Sequence, residues 1–382
     1  MSAATGQDPQ DTGLAPGLLD APFAGGLHPG LLDVLAPLAT APEPGRDLVV
    51  LVDGLGADLL VQHRALTPTL RRLEGQTTRV RTVFPSTTAT AMVSLHTGLP
   101  PLVHGVLGLT TRDPATRQAV HELTGAAGVD PRAWMPEPTL LQRSGRRAVQ
   151  VGPRRHAGSH LSGMAYRGWE FQGHGREDRL EVTLRAVRRA GPDGLVHLHV
   201  DDVDHAGHHH GIDSVQWRDA LMEVDALLGA LLRRLPGGTR VHVTADHGMV
   251  DTSPERTIEL GAPPHLEGLI AGVAGEPRAL ALFAEPRAGA MEELAAGLQD
   301  LLGERAVVMV RDQLLASALL GPVGTPISDR VTGRVPDVMV LARQNWTVDL
   351  LSHRPAGTKP LIGVHGSLTA AESWIPLVRA VS

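Results

Sequence analysis

Residues 47–54, "DLVVLVDG", decide how the chain is read. Leu48 to Val52 form an uninterrupted apolar run that stops at Asp53 and Gly54. A strand wetted on one face alternates apolar and polar residues. One that is apolar at every position is covered on both faces, the usual state of a parallel strand between helices. Two further stretches repeat the pattern: "GLVHLHVDD" (194–202), with Leu195 to Val200, and "TRVHVTADHG" (239–248), with Arg240 to Thr244. Between them, Ser214 to Leu235 carries Leu221, Met222, Leu228, Leu231, Leu232 and Leu235 at helical spacing, and Pro236, Gly237 and Gly238 stop it. Strand, helix, strand in this order is a βαβ unit. The expected fold class is therefore α/β, with a mostly parallel central sheet flanked by helices.

Around this core the chain divides into less regular pieces. Residues 1–45, rich in Pro, Gly and Ala, read as a loosely structured arm with one short helix near Leu31 to Leu38. Residues 46–382 read as one domain carrying two insertions. The first, about 107–190, has weak periodicity and scattered Pro, Gly and Trp, and is expected to be a lid-type addition. The second, about 268–345, reads strand, turn, strand, helix, strand, and is expected to be a small α+β subdomain.

Composition narrows the chemistry. The 382 residues carry a net charge of -6 and only 3% aromatics, so neither a basic surplus nor a stacking platform points to a nucleic acid polymer. No segment reaches the ~18 uninterrupted apolar residues of a membrane span. The N-terminal "MSAATGQDPQDTGLAPGLLD" lacks the basic and apolar regions of a signal peptide, and a cytoplasmic location is expected. Cysteine is absent and histidine numbers 19, so any transition metal must be held by imidazole and carboxylate.

Functional groups in parallel α/β sheets gather at the carboxyl ends of the strands. Asp53 follows the first apolar run. Asp201, Asp202 and Asp204, with His205 and His208, follow the second, and Asp246 with His247 follow the third. Taken singly, each has a bland reading as turn chemistry or a solvated histidine loop. Their convergence on one sheet edge fits two cations held by oxygen and imidazole, as zinc is held in hydrolases. Asp204 and His208, four residues apart, can face the same ion.

The stretch "VFPSTTATAMVSLHTG" (83–98) places Ser86, Thr87 and Thr88 before a run that reads as a helix from Thr88 to Thr97, closed by Gly98. Hydroxyls at a helix start are usually caps, but one cap needs one hydroxyl. The positive end of the helix and a nearby cation would lower the cost of an alkoxide there, which suits a threonine nucleophile.

"LVDGLG", "FPSTTATAMVSLHTGLPPLVHGV", "DDVDHAGHHHG", "TADHGM" and "GVHGS", in this order over residues 47–368, resemble the type I phosphodiesterase and nucleotide pyrophosphatase family of the alkaline phosphatase superfamily. The resemblance implies an alkaline-phosphatase-like catalytic domain with two divalent metal ions, zinc in most members. It puts the nucleophile on Thr88, with Thr87 the near alternative. Asp53, Asp246 and His247, with the Thr88 oxygen, would hold one metal, and Asp204, His208 and His365 the other. Asp201 and Asp202 would then be outer or strand-end residues, and His205, His209 and His210 would be surface or outer residues. The implied reaction is two-step hydrolysis of a small phosphate ester or pyrophosphate through a phosphothreonine. A phosphomonoesterase of the same superfamily and a non-catalytic metal-binding homologue are the alternatives. One position departs from the family: where many members carry an Asn that binds a phosphoryl oxygen, "HGVLGLTTRDP" has Leu109. Trp134, Tyr166 and Trp169 are candidates either for a pocket wall or for packing.

Overall fold

The first apolar run forms strand β1 (Asp47–Val52), all six residues of which are buried. The computed structural model describes residues 14–40, 43–261, 264–350 and 360–382. Within them, β1 lies near the middle of a seven-stranded sheet that also contains β2 (Thr77–Arg81), β3 (Ala148–Pro153), β4 (Glu170–His174), β5 (Leu195–Val200), β6 (Arg240–Thr244) and β7 (Trp374–Val381). The order across the sheet is β2-β7-β6-β1-β5-β3-β4. The strands from β6 to β4 run parallel, and β7 runs antiparallel to both β6 and β2. This is the mostly parallel α/β sheet expected from the sequence. Leu48 through Val52 are 0% exposed, so the reading of a strand covered on both faces holds residue by residue.

Register explains why the polar residues meet. Val52 of β1 pairs with Val200 of β5, and Leu51 pairs with Thr244 of β6. The three strands end nearly flush, and whatever follows each one emerges at a single edge.

Helices cover the sheet. They are α1 (Leu32–Thr40), α2 (Thr88–Thr97), α3 (Arg179–Ala190), α4 (Asp202–His210) and α5 (Val215–Arg234). Helix α3 lies against β3, β4 and β5, and α5 lies on α3 and α4. Ser214 caps α5, its hydroxyl accepting from the Trp217 amide. The helix ends at Leu235, as its Pro-Gly-Gly stop signal requires.

Two expectations need correction. Of the stretch expected to be a lid, β3, β4 and α3 belong to the central sheet and its cover. Edge strand β4 is only half-buried and β3 contains Gln150 and Pro153, so neither shows the clean apolar run of β1. Nor is the arm loose throughout: Leu18, Phe23, Leu31 and Leu35 are buried in the main core, and α1 packs against α2. Part of the arm, residues 1–13, lies outside the described residues.

The second insertion is a four-stranded antiparallel sheet, ordered Ile270–Glu276, Ala279–Ala284, Val338–Ala342, Ala306–Val310, with α6 (Ala290–Leu302) on it. Because side chains alternate along a strand, Leu280, Leu282, Val338 and Val340 pack with Leu294 and Leu298 of α6 in a separate core. Ala279, Ala281, Phe283, Met339 and Leu341 point the other way, into the main core. The small sheet is thus buried on both sides and fixed to the large one. No described helix is long and apolar enough to cross a membrane.

Candidate active site

Ser86, Thr87 and Thr88 have three different fates. The Ser86 hydroxyl donates to the Ser367 carbonyl at 2.7 Å and accepts from the Gly366 amide at 3.2 Å, tying the start of α2 to the 365–367 segment. Thr87 occupies the N-cap position in an extended conformation, yet its side chain makes no cap bond. Thr88 alone turns toward the acids and imidazoles: its hydroxyl lies 3.4 Å from Asp53 Oδ1 and 3.1 Å from His247 Nε2. The capping account therefore fails for Thr88.

The strand-end residues converge. His247 Nε2 is 3.5 Å from Asp53 Oδ1 and 3.3 Å from Asp246 Oδ2, and donor atoms of Asp53, Asp246 and His247 lie within 4.8 Å of one another. Donor atoms of Asp204, His247 and His365 form a second such group. Asp204 Oδ2 is 3.2 Å from His208 Nε2 one turn along α4, and Asp204 Oδ1 is 3.8 Å from His365 Nε2. The His247 and His365 rings stack at 3.6 Å. All seven residues singled out from the sequence thus come together in one centre, with His247 bridging its two halves. His365 arrives from the segment just before β7, more than a hundred residues beyond any other member.

Fit to cations can be judged from the donor atoms. The Nδ1 atoms of His208, His247 and His365 lie 2.8, 3.0 and 2.9 Å from the carbonyls of Gly363, Gly248 and Ser86. A carbonyl only accepts, so in the neutral ring Nδ1 carries the hydrogen and Nε2 offers a lone pair to the centre. Asp246 Oδ1 accepts from the amides of Gly54 and His247, whereas its buried Oδ2 accepts no hydrogen bond. Asp204 Oδ1 is orphaned in the same way. Buried acceptors turned toward one another without hydrogens between them are costly unless a cation fills the gap. The donor set suits such a group.

Electrostatics agree. Burial, then the charges of Asp246 and Asp204, hold the Asp53 carboxyl well above its usual range. Burial also disfavours charge on His208, but the Asp204 carboxylate outweighs it and pushes the imidazole up to about 9, so without a cation Nε2 holds a proton toward Asp204, which a cation would displace. Asp204 itself, despite burial, is held well below the usual carboxylate range by His208, His365 and His247.

The outer residues divide. Asp201 pairs with Arg155, and Asp202 pairs with Arg179 at 2.5 Å, so both serve ion pairs at the rim. His205, His209 and His210 are exposed. Tyr166 lines the cavity of about 1000 Å³ over the centre, while Trp134 packs between Glu122 and Arg334. Sequence reasoning missed His199, whose Nε2 lies 3.0 Å from Asp53 Oδ2 and orients that carboxylate. The signal was present: "HLHV" sets two histidines into a run that is otherwise apolar. The glycines of "LVDGLG" and "TADHG" mark a close approach, since a Cβ on Gly248 would fall 1.9 Å from the Ala371 carbonyl and 2.9 Å from the Gly56 Cα.

An uncharacterized pyrophosphatase/phosphodiesterase of Schizosaccharomyces pombe is 28% identical over 228 residues, 56% of this chain and 46% of the relative. The chain spans about half the length of the curated relatives it matches. The structure of murine ectonucleotide pyrophosphatase/phosphodiesterase 5 superposes with a TM-score of 0.67 at 20% identity, covering 87% of each chain, and an inactive threonine-to-alanine variant of that protein has been solved with AMP. Phosphonoacetate hydrolase of Sinorhizobium meliloti superposes with a TM-score of 0.66 at 19% identity, covering 88% of this chain and 90% of that one. These likenesses establish the alkaline-phosphatase-like fold. Residues 48–368, spanning every motif that builds the centre, match the family described as type I phosphodiesterase / nucleotide pyrophosphatase, and the chain belongs to that family.

Proposed function

We propose that the chain is a metal-dependent phosphoric ester hydrolase of the phosphodiesterase and nucleotide pyrophosphatase type, with Thr88 as nucleophile. The observation that carries this reading is the Thr88 hydroxyl, 3.4 Å from Asp53 and 3.1 Å from His247 at the edge of a cavity of about 1000 Å³. Asp53, Asp246 and His247 would hold one cation beside Thr88, and Asp204, His208 and His365 the other. Two divalent cations, zinc in this reading, would supply Lewis acidity that lowers the cost of negative charge on the attacking and leaving oxygens.

The chain's own residues set up the displacement. The backbone at the start of α2 directs the Thr88 oxygen at the cavity, and His199 fixes Asp53 on the opposite side. As the Thr88 oxygen bonds to phosphorus, the bond to the leaving alcohol breaks, and that alcohol takes up one proton for the one Thr88 loses. Water then attacks the phosphothreonine, phosphate or a monoester leaves, and Thr88 recovers its proton. A small-molecule phosphate ester or pyrophosphate is the substrate class. The likeness to a protein solved with AMP, whose threonine variant is described as inactive, supports both assignments. A cytoplasmic location is part of this reading, and fractionation of expressing cells checks it.

Hydrolysis of bis-p-nitrophenyl phosphate and p-nitrophenyl phosphate by the wild type and Thr88→Ala, before and after chelation and zinc return, tests the proposal. Zinc-restored, Thr88-dependent cleavage that favours the diester is expected. Full activity in Thr88→Ala would remove the nucleophile, and a strong monoester preference would replace the diesterase by a phosphomonoesterase.

A further inference from the structure

Glu276 ends the strand Ile270–Glu276 and reaches from the small sheet to the start of α2. Its side chain is 5% exposed and lines the same cavity as Thr87, Thr88 and Leu109. Its Oε2 accepts the Leu109 amide at 2.6 Å. The other oxygen, Oε1, and the Thr87 hydroxyl are both buried, and among the described residues the only polar group within reach of either is the other. Room for the carboxyl is made by Gly366, where a Cβ would lie 2.8 Å from both Cγ and Oε1 of Glu276. Buried polar atoms with so little hydrogen bonding are few in folded proteins, and here two border the nucleophile.

No cation among the described residues pairs with this carboxyl. The neighbouring charge is another acid, Glu372, which Arg278 engages at 2.6 and 2.9 Å. Burial pushes Glu276 up to about 8, so it keeps its proton at neutral pH. A carboxyl and a phosphoryl oxygen can meet only with a hydrogen between them. A protonated Glu276 supplies that hydrogen at the wall of the cavity it shares with Thr87 and Thr88.

We propose that Glu276, together with the Thr87 hydroxyl, binds a non-bridging oxygen of the substrate's phosphoryl group through a single hydrogen. It thereby does the work for which Leu109 has no side-chain amide. This assignment rests on the phosphoryl-transfer reading, but its test needs no turnover. Inorganic phosphate is titrated calorimetrically into the zinc-loaded wild type, Glu276→Gln and Glu276→Ala across pH values from about 6.5 to 9. The amide of Gln still accepts from Leu109 and still donates, but it does not titrate.

Relative to Glu276→Gln, the wild type should lose about tenfold in phosphate affinity per pH unit above about 8. Near pH 7, Glu276→Ala should bind about tenfold more weakly than wild type at equal zinc content. His365, next to Gly366, and the Glu372–Arg278 pair are present in both wild type and Glu276→Gln, so their titration cancels in the comparison. Parallel pH curves for these two proteins would overturn the proposal, as would wild-type affinity in Glu276→Ala. If Glu276→Ala does not fold, the Gln comparison decides alone. Unchanged turnover in Thr88→Ala would instead count against the nucleophile and leave the phosphate measurement standing.

Discussion

Asp47 and Asp53 stand at the two ends of the same strand, both buried, at 1% and 4% exposure, and their surroundings are opposites. Asp47, at the amino end, receives Arg146 at 2.9 Å, Arg240 through two contacts of 2.8 Å, and His242 at 3.2 Å. Burial works against its charge, but these partners outweigh it and hold its carboxyl well below the usual range. Asp53, at the carboxyl end, faces Asp246, Asp204 and histidines, and its carboxyl is held well above that range. One end of β1 closes its charges internally. The other gathers three acids with no arginine or lysine paired to them among the described residues and only the His208 imidazole, beside Asp204, to offset their charge, a strain that a bound cation would relieve. The contrast separates an acid that holds the sheet together from an acid held for chemistry.

Replacing each acid in turn should break this symmetry. Asp53→Ala is expected to lower diester turnover by at least about a thousandfold while, with metal chelated, the protein melts no lower than wild type, because a buried repulsion disappears. Steady-state kinetics and calorimetry check both halves; a large fall in melting temperature would mean that Asp53 is structural. Asp47→Ala should do the reverse. It leaves Arg146 and Arg240 without their buried partner, at a cost of about 3–5 kcal/mol in denaturant unfolding, with turnover per folded molecule preserved.

Smaller effects sharpen the same contrast. Zinc at about a hundred times its dissociation constant should stabilise the wild type by about 2.7 kcal/mol per occupied site, and Asp53→Ala should lose the share of the Asp53, Asp246 and His247 site, as read by melting temperature with and without chelator. Acid should expose the other end. A carboxyl whose folded pKa is depressed contributes stability that is complete above its unfolded value of 3.8 and is lost as pH falls through the folded one. Wild type should therefore lose stability on acidification below about pH 4 more steeply than Asp47→Asn, by about 1.4 kcal/mol per pH unit at most. Equal slopes would show that the arginines do not hold Asp47 ionised.

Legibility varied with how local the cause was. The bounds of β5 and β6 and of helix α2 agree with their sequence readings to the residue, and those of β1 and α5 to within one, because apolar runs, a serine cap and a closing glycine act over a few residues. Strands β3 and β4 lie in a stretch that reads as a lid because β4 is a half-exposed edge strand and β3, though buried throughout, is interrupted by Gln150, Gly152 and Pro153. Asp53, Asp204, His208, Asp246 and His247 could be found as strand-end residues. His365, His199 and Glu276 could not be found this way. His365 sits in a short motif that has no periodic signal, His199 inside a strand where histidine reads as filler, and Glu276 in a different sheet.

Taken alone, the amino-acid order determined the parallel sheet, the edge where its polar residues emerge, and the helix that begins at Thr88, since each follows from periodicity and short-range stop signals. Only the tertiary structure decided which of three adjacent hydroxyls faces the acids, that Asp47 meets arginines while Asp53 meets other acids, and that Glu276 reaches the start of α2. Those outcomes depend on contacts between segments one to three hundred residues apart, where strand register and the packing of one sheet against another fix distances that no local pattern encodes.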